Sequence, residues 1–382
     1  MTPERPAGED AFPRSVESQE LNANPDTVEP ALTPSQNPEG LYAALDLGTN
    51  SCRMLIARPQ GSQFRVIDSF SKTVQLGVGL EASGRLSRAS MGRTVQALRI
   101  CRKKLDKHGV GRMRLVATEA CRRARNARDF IRNVRRETGL QLEIIAPEEE
   151  ARLAVVSCAP LVSSRTEQLL VVDIGGGSTE LVWLDLSEVP GPERARAIMR
   201  LHAGFKPDRR FGPAARVVDW ISVPLGVATL KDQFTDVEDD AARFALMSWF
   251  FEENLADFSP YNADTPREGF QIIGTSGTVT TVAASFLGLR RYDRNKVDGL
   301  RMTSDQIDQV IRDYLVLGPE GRRTDPRIGR DRHSLIMSGA AILQALMRVW
   351  PTDRLSVADR GLREGLLYAQ MCSDGVLKDG PY

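Results

Sequence analysis

Apolar residues along the chain fall into short runs that predict two copies of one unit. Residues 41–46 form a run of strand character that is followed by a glycine turn and a second apolar run at residues 54–57. Residues 169–173 and 181–184 repeat this arrangement around another glycine turn. The first run of each copy ends in an aspartate, Asp46 or Asp173, and these lie 127 residues apart. Matched units at a domain-sized spacing indicate an internal duplication.

The two turns consist of small residues that suit the binding of phosphate. Their sequences are Gly48-Thr49-Asn50-Ser51 and Gly175-Gly176-Gly177-Ser178-Thr179. In dinucleotide-binding and Walker-type loops a glycine turn opens a helix, but here each turn leads into a strand and no GK[ST] is present. Each unit is therefore predicted to be a β-hairpin whose tip exposes backbone N–H groups and hydroxyls as an anion nest.

The remaining chain alternates between helical and strand patterns, which predicts an α/β fold. We expect domain I at residues 41–123, domain II at residues 124–354, and a cleft between the two hairpin tips. The C-terminal segment, residues 355–375, is expected to pack back on domain I. Predicted helices include residues 87–108, 121–138, 147–159, 241–258, 277–287, 331–349 and 362–371, and predicted strands include 114–117, 140–146, 221–223, 270–273 and 355–358.

Composition excludes several classes of protein. The chain has 382 residues, 41% of them hydrophobic and 26% charged, which is ordinary for a globular protein with two domains. No apolar run reaches the roughly 18 residues of a membrane helix, and the polar N-terminus does not resemble a signal peptide. Five scattered cysteines and three histidines argue for reduced thiols in the cytoplasm and against a zinc site or a disulfide framework.

The net charge of +1 conceals a segregation of charge along the chain. Residues 1–40 carry eight acidic and two basic side chains and seven prolines, which predicts a disordered tail. Residues 85–136 carry 17 Lys or Arg against three acidic residues. Such a stretch is either a solvated surface or a positive field that concentrates a polyanion. No nucleic-acid-binding motif accompanies it, so we do not expect nucleic acid as the partner.

Acidic residues at strand and helix ends are the candidates for chemistry. Glu119 follows the predicted strand at residues 114–117, where it would serve as general base for a water or only pair with Arg122. The triplet Glu148-Glu149-Glu150 begins a helix, where acids suit the helix dipole, but one or two of them could also hold a metal or water. Asp46 and Asp173 are candidates for holding Mg²⁺ beside bound phosphates.

These residues, taken together and in order, resemble the Ppx/GppA phosphatases, which are exopolyphosphatases and guanosine pentaphosphate phosphohydrolases. The resemblance spans roughly residues 41–372 and rests on seven motifs: residues 46–51, 117–124, 148–152, 173–180, 224–226, 274–281 and 361–365. From the resemblance we expect a short form of the family, without the C-terminal helical domains of the longer members. Thr49 replaces a serine of the family's first loop, and Asp298 stands where a histidine is common.

The resemblance implies a duplicated actin-like fold of the ribonuclease-H type and Mg²⁺-assisted release of a terminal phosphate. It implies Glu119 as catalytic base, with Glu148 and Glu150 helping to hold the metal or the water. The metal candidates are then Asp46, Asp173 and Glu148. The implied phosphate-binding residues are those of the two loops and their neighbours: Gly48, Thr49, Asn50, Ser51, Cys52, Arg53, Arg93, Arg122, Gly175, Gly176, Gly177, Ser178 and Thr179.

Three functions remain open at this point. The first is hydrolysis of inorganic polyphosphate, with guanosine pentaphosphate as the alternative substrate. The second is an actin-like ATPase or kinase, in which the turn Gly274-Thr275-Ser276-Gly277 would hold an adenosine. The third is a non-catalytic sensor of an alarmone or of polyphosphate. A homodimer is expected from the frequency of such assemblies, and the Arg-rich residues 193–218 would form a flap or a dimer contact.

Overall fold

Two mixed β-sheets organise the protein in a computed structural model that describes residues 40–206, 212–258, 269–329 and 332–377. The first sheet contains β1 (Tyr42–Leu47), β2 (Ser51–Gln60), β3 (Gln63–Thr73), β4 (Arg112–Ala117) and β5 (Glu143–Ile144). The second contains β6 (Gln168–Ile174), β7 (Thr179–Asp185), β8 (Arg216–Val223), β9 (Phe270–Thr275), β10 (Arg301–Met302) and β11 (Leu355–Ala358).

The two sheets share one topology. Their strand orders are β3-β2-β1-β4-β5 and β8-β7-β6-β9-β11-β10. In each, the first strand pairs antiparallel with the second to make the predicted hairpin, and parallel with a strand on its other side. The hairpins close at equivalent pairs, Leu47 with Cys52 and Ile174 with Thr179. The predicted α/β fold with a duplicated unit is confirmed.

Helices cover the sheets and fill the space between them. They are α1 (Leu80–Ser83), α2 (Arg88–His108), α3 (Glu119–Arg123), α4 (Ala127–Thr138), α5 (Pro147–Cys158), α6 (Arg194–Met199), α7 (Val227–Gln233), α8 (Asp240–Glu253), α9 (Gly277–Phe286), α10 (Arg294–Val297), α11 (Ser304–Thr324, kinked at Gly318), α12 (Ile336–Val349) and α13 (Leu362–Ser373).

A shared core joins the two sheets. Buried side chains of β1, α5, β6 and α13 form one apolar cluster, and α13 packs on both α5 and β1. A second cluster lies under α2 and α4 against the first sheet, and a third includes α8, α9, α11 and α12 against the second. Because the helices between the sheets belong to both, the carboxyl ends of β1 and β6 are held at the same edge of the molecule.

The domain boundaries stay predictions. The first sheet also takes in β5 at residues 143–144, beyond the expected boundary at residue 123. In the C-terminal segment α13 contacts the first sheet, whereas β11 pairs with β9 in the second. All described residues belong to one compact unit over residues 37–382, and the predicted tail falls outside the described residues except for Gly40.

Several predicted elements differ from the structure. The prediction of one basic helix over residues 121–138 is wrong. The structure has two helices in this region, α3 and α4, because the Asn126 side chain between them binds the Leu86 backbone instead of facing solvent. The strand predicted at residues 140–146 is reduced to β5. Strand β3 was not predicted because its polar residues are largely exposed or half-buried.

The Arg-rich connection is partly folded into the core. Arg194 is buried and donates to the carbonyl oxygens of Val189, at 3.0 Å, and Ser164, at 2.8 Å. Residues 207–211 of this segment lie outside the described part of the chain, so a dimer contact there stays a prediction. Across the described residues, no helix combines the length and apolar character needed to cross a membrane.

Candidate active site

The two glycine turns have the same internal geometry. The N–H of Gly48 donates to the carbonyl oxygen of Ser51 at 3.0 Å, and that of Gly175 donates to Ser178 at 2.9 Å. A side chain at Gly175 would place its Cβ only 2.8 Å from the Ser178 carbonyl oxygen. The second loop therefore needs glycine at this position to close its hairpin.

The two loops touch each other at their tips. A Cβ at Gly177 would lie 2.4 Å from Thr49 Oγ1 and 2.9 Å from Glu119 Cγ, and one at Gly176 would lie 3.2 Å from Thr49 Cβ. The buried Thr49 hydroxyl oxygen has no hydrogen-bond partner among the described residues. Residues from both halves of the duplication therefore converge on Glu119.

Each loop is braced from behind through its carbonyl oxygens. The N–H groups of Val227 and Ala228 donate to Gly175 and Gly176, at 3.0 and 2.8 Å. The first loop is braced in the same way by the segment after β3, where Gly77 N–H donates to Thr49 at 2.9 Å.

The braces leave donors for a ligand. Among the described residues, no acceptor is found for the loop N–H groups of Thr49, Asn50, Gly176, Gly177 and Ser178. Unpaired N–H groups at a concave turn form a nest for an anion, as expected from the sequence.

A cavity of about 190 Å³ opens between the loops. Most of the predicted site residues line it: Asp46, Gly48, Thr49, Asn50, Ser51, Arg53, Glu119, Glu150, Asp173, Gly175, Gly176, Gly177 and Ser178. Residues 275–278, in and after the turn that the kinase hypothesis assigns to an adenosine, line its other side. The structure thus brings residues from six separate motifs to one place.

Arg122 links the two carboxylates of the cavity wall. Its guanidinium donates to Glu119 Oε2 through Nη2 at 2.9 Å and Nε at 3.1 Å, and to Glu150 Oε2 through Nη1 at 2.6 Å. Both glutamates are 9% exposed. Arg122 was predicted to bind phosphate, but the structure shows it occupied by these carboxylates, so it orients Glu119 instead of facing a ligand.

Buried acids in the site lack full compensation by positive charge. Burial, Glu150 and Asp46 raise the pKa of Asp173 to about 8. Burial also raises the pKa of Asp46 and holds that of Glu150 well above its ordinary value. Glu180, the last residue of the motif at residues 173–180, joins this cluster, and burial and Asp173 raise its pKa to about 7.

Four arginines line the cavity and oppose these acids: Arg53, Arg332, Arg360 and Arg363. Burial and the nearby Arg363 lower the pKa of Arg53, whose guanidinium has no hydrogen bond or ion pair within the described residues. Arg332 is held by the Gly277 carbonyl oxygen at 3.0 Å and the Thr281 hydroxyl at 2.5 Å. Nothing in the sequence assigned Arg332 to the site, because no motif surrounds it. Arg363, in contrast, lies within the family motif at residues 361–365.

Some predicted residues lie outside the cavity. Glu148 is exposed, and Glu149 instead pairs with Arg114 at 2.8 Å and Arg152 at 3.2 Å, so Glu150 alone of the triplet faces the site. Arg93 does not line the cavity. It supports the first loop indirectly, because its Nε donates to the Val74 carbonyl oxygen in the bracing segment at 3.0 Å.

Cys52 and Thr179 are also structural. The hydrogen bond with the neighbouring Cys101, followed by burial, raises the pKa of the Cys52 thiol. The Thr179 hydroxyl donates to the Leu225 carbonyl oxygen at 2.7 Å. Asp298, the position where the family often carries histidine, forms an ion pair with Arg360 at 2.9 Å and so orients a cavity arginine.

The donor set suits a cation that is shared with the substrate. No three His, Cys, Asp or Glu side chains among the described residues form a complete ligand set. Asp46 and Asp173 nevertheless both line the cavity, beside N–H groups that suit phosphate. Mg²⁺ commonly takes one or two carboxylates, several waters and phosphate oxygens, and these residues fit that pattern.

Comparisons with known proteins agree with this geometry. A model of the Ppx/GppA phosphatase family matches residues 55–374. Two relatives, each named guanosine-5'-triphosphate,3'-diphosphate pyrophosphatase, come from Aeromonas salmonicida and Aeromonas hydrophila. Each is 29% identical over 332 residues, which is 86% of this chain. The match spans only 59% of the length of these relatives.

Solved structures extend the comparison to the fold. A Ppx/GppA family member from Aquifex aeolicus has a TM-score of 0.69 and 29% identity, covering 88% of this chain and 98% of its own. An exopolyphosphatase from Cytophaga hutchinsonii has a TM-score of 0.72 and 22% identity, covering 89% and 99%. The overall fold of this chain is therefore the fold of these two proteins.

Proposed function

Because the chain belongs to the Ppx/GppA phosphatase family, a family of phosphoanhydride hydrolases, we propose that it releases the terminal phosphate of inorganic polyphosphate. The observation that carries this proposal is the meeting of two phosphate-type loops, with unpaired N–H groups, at the Glu119 side chain. A site of this kind binds a terminal phosphate and holds a base next to it.

The terminal phosphate would lie between the loops. Their N–H groups and the Thr49 hydroxyl would donate to its oxygens, and Arg53 would neutralise charge from the side. Phosphoryl transfer depends mainly on such positioning and charge stabilisation, because the transition state spreads negative charge over the phosphate oxygens.

Glu119 would act as general base. Its carboxylate accepts a proton from a water molecule as the water oxygen forms a bond to the terminal phosphorus. The bond from phosphorus to the bridging oxygen breaks, and its electron pair leaves with the shortened chain. Arg122 keeps the Glu119 carboxylate in place, since two of its nitrogens bond to the same oxygen.

A divalent cation, Mg²⁺ by preference, would be held by Asp46 and Asp173 together with phosphate oxygens. When bound, it would supply positive charge to the phosphate and to the leaving oxygen. The raised pKa values of Asp173 and Asp46 support this assignment, because they show carboxylates whose charge the protein alone compensates incompletely.

Guanosine pentaphosphate is a second candidate substrate, favoured by the names of the two Aeromonas relatives. It presents a terminal phosphate on an anhydride chain, so the same residues would act on it. The kinase and sensor hypotheses predict different outcomes in the experiment below. A cytoplasmic location and a homodimer stay predictions.

The test is phosphate release from polyphosphate and from guanosine pentaphosphate, with Mg²⁺, by wild type and Glu119→Gln. Loss of a general base is expected to lower kcat by about 10² to 10⁴. Glu149→Gln is the matched control, because it changes the neighbouring acidic motif outside the cavity, and it should stay near wild-type activity.

Each outcome has a distinct meaning. Full activity of Glu119→Gln would remove Glu119 from the mechanism. Tight binding without release by wild type would favour the sensor, and ATP-dependent phosphorylation of a small alcohol would favour the kinase. The relative rates on the two substrates decide between the two hydrolase activities.

A further inference from the structure

Four exposed arginines gather where α2 and α4 begin. Arg88 is the first residue of α2 and Arg85 lies three residues before it, and Arg125 and Arg128 lie on either side of Ala127, the first residue of α4. Within the described residues, none of these four side chains has an ion pair or a hydrogen bond. This arginine cluster therefore carries four positive charges that the described protein does not neutralise.

The cluster is built by specific contacts between the two helix starts. The Asn126 side chain accepts from the Leu86 N–H at 2.9 Å and donates to the Leu86 carbonyl oxygen at 3.0 Å. The Arg125 N–H donates to the Gly84 carbonyl oxygen at 3.0 Å. The Arg125 guanidinium packs where Gly84 lacks a side chain, 2.7 Å from the position of a Cβ. These contacts hold like charges close together.

Most of the basic stretch is neutralised elsewhere. Along α2 and α4, for example, Arg99 pairs with Glu137, Arg102 with Asp106, and Lys104 with Asp68. The position of the cluster instead raises the positive electrostatic potential around it, because the amino-terminal end of a helix carries partial positive charge. Such an arrangement is unfavourable unless an anion binds there.

The cluster lies next to the cleft. Helix α3 begins at Glu119 and ends two residues before Arg125. On this helix Arg123 lies 3.9 Å from Glu119 and pairs with Glu81 at 2.6 Å, which places α1 beside it. A ligand that extends out of the cleft past α3 would reach the cluster.

We propose that the arginine cluster binds the distal phosphates of a long polyphosphate chain whose terminal phosphate lies in the cleft. This inference rests on the proposed function and adds a second contact for the same substrate. Guanidinium groups pair with phosphate in a fork geometry and stay charged at any physiological pH. Nucleic acid is a weaker fit, because the one aromatic side chain in residues 85–136, Phe130, is buried and cannot stack on bases.

The test compares two variants of equal charge. The cluster variant is Arg85→Gln, Arg88→Gln, Arg125→Gln and Arg128→Gln. The control variant changes four exposed cations elsewhere: Arg65→Gln, Lys103→Gln, Lys107→Gln and Arg135→Gln. For each we measure KM and kcat on long-chain polyphosphate and on tripolyphosphate, and the equilibrium Kd for long-chain polyphosphate without Mg²⁺ at several salt concentrations.

The cluster variant should bind long-chain polyphosphate about tenfold or more weakly than wild type, with a shallower salt dependence, because up to four phosphate contacts are lost. Its kcat/KM on tripolyphosphate should stay within about twofold of wild type, since the cleft is intact. The control variant should change the long-chain Kd much less. The intact tripolyphosphate activity also shows that the variant is folded.

Three results would overturn the proposal: an unchanged long-chain Kd, an equal loss in the control variant, or an equal loss on tripolyphosphate. Loss of single-stranded RNA binding without loss of polyphosphate binding would assign the cluster to nucleic acid instead. If the proposed function itself fails, wild type will release no phosphate from either substrate. The Kd measurements will still show in that case whether the cluster binds polyphosphate.

Discussion

At the scale of single residues, the site depends on one guanidinium that serves two carboxylates. Arg122 is 13% exposed at its side chain and contacts both Glu119 and Glu150. With Arg122 in place, the Glu119 carboxylate is held in position and Glu150 is paired despite its burial. The role expected from the sequence, phosphate binding, would leave both acids without this partner.

Arg122→Lys should therefore lower activity without removing the charge. A lysine ammonium cannot reproduce the forked contacts to the two glutamates, so the base loses its orientation. We expect kcat to fall by about tenfold to a hundredfold with little change in KM. Steady-state kinetics provide the measurement, and Arg123→Lys, one residue away and more exposed, is the control. A rise in KM with unchanged kcat would instead indicate that Arg122 binds the phosphate directly.

The contact between the loops leaves no room for a side chain at Gly177. Gly177→Ala would force its methyl group against Thr49 and Glu119. We expect activity to fall about a hundredfold through displacement of the base, and stability to fall by about 1–3 kcal/mol. Kinetics and urea unfolding measure the two effects.

Gly92→Ala is the matched control for this substitution. Gly92 lies in α2, and a Cβ there meets no atom within 4 Å. Alanine in a helix interior should stabilise the protein by about 0.5–1 kcal/mol and leave activity unchanged. Equal effects of the two alanines would refute the steric argument.

At the scale of elements, a polar contact fixes the end of α13 to the first sheet. Asp374, just after α13, accepts from Tyr42 on β1 at 2.8 Å and from Arg112 on β4 at 2.9 Å. The Arg112 guanidinium and the Tyr42 hydroxyl together hold the pKa of Asp374 below its ordinary value of 3.8. The C-terminal helix thus remains packed where its residues Leu362 to Arg363 line the cavity.

Asp374→Asn should cost about 1–2 kcal/mol of unfolding free energy at neutral pH, because two charge-assisted contacts are weakened. A carboxylate whose folded pKa is lowered stabilises the protein above its unfolded pKa and loses this effect as the pH falls. The difference between wild type and variant should therefore narrow below about pH 4. Urea unfolding across pH measures it, and Asp129→Asn is the control, with a much smaller expected effect because its ion pair with Arg132 is exposed to solvent. A difference that does not change with pH would contradict this account.

The sequence predicted those elements whose pattern is local. Both glycine hairpins were predicted, because alternation of an apolar run, an aspartate and small residues is visible within a dozen positions. Glu119 was named from its place at a strand end and the triplet that contains Glu150 from its place at a helix start, whereas the family resemblance singled out Glu148 and Glu150. The division of residues 121–138 was not predictable, because it depends on an amide that binds a backbone 40 residues away.

Site residues that depend on tertiary packing could not be predicted. Arg332 enters the cavity from the segment before α12, which belongs to none of the sequence motifs, and α9 holds its guanidinium. Glu148 and Glu149 could not be separated from Glu150, since the rotation of α5 relative to the sheets decides which of them is buried. Glu180 becomes part of the acid cluster only because β7 lies beside Asp173.

At the scale of the whole molecule, a bound phosphate chain would contact both halves of the duplication. A ligand that binds only the folded state stabilises it by mass action, by about 2.7 kcal/mol at a hundredfold excess over Kd. For a domain of this length, that corresponds to a rise in Tm of about 4 °C. Tripolyphosphate added to Glu119→Gln should therefore raise Tm, as measured by calorimetry. Gly177→Ala is the control and should show a much smaller shift, and a shift of equal size would contradict binding between the loops.

The way in which the loops meet also determines how the cleft can open. Among the described residues, hydrogen bonds brace each loop to its own half, but none joins the first loop to the second. Separation of the halves would therefore break only van der Waals contacts between the loop tips and leave each loop intact. The loop tips therefore form a seam without backbone hydrogen bonds, across which they can part and meet again while each loop keeps the bonds that brace it.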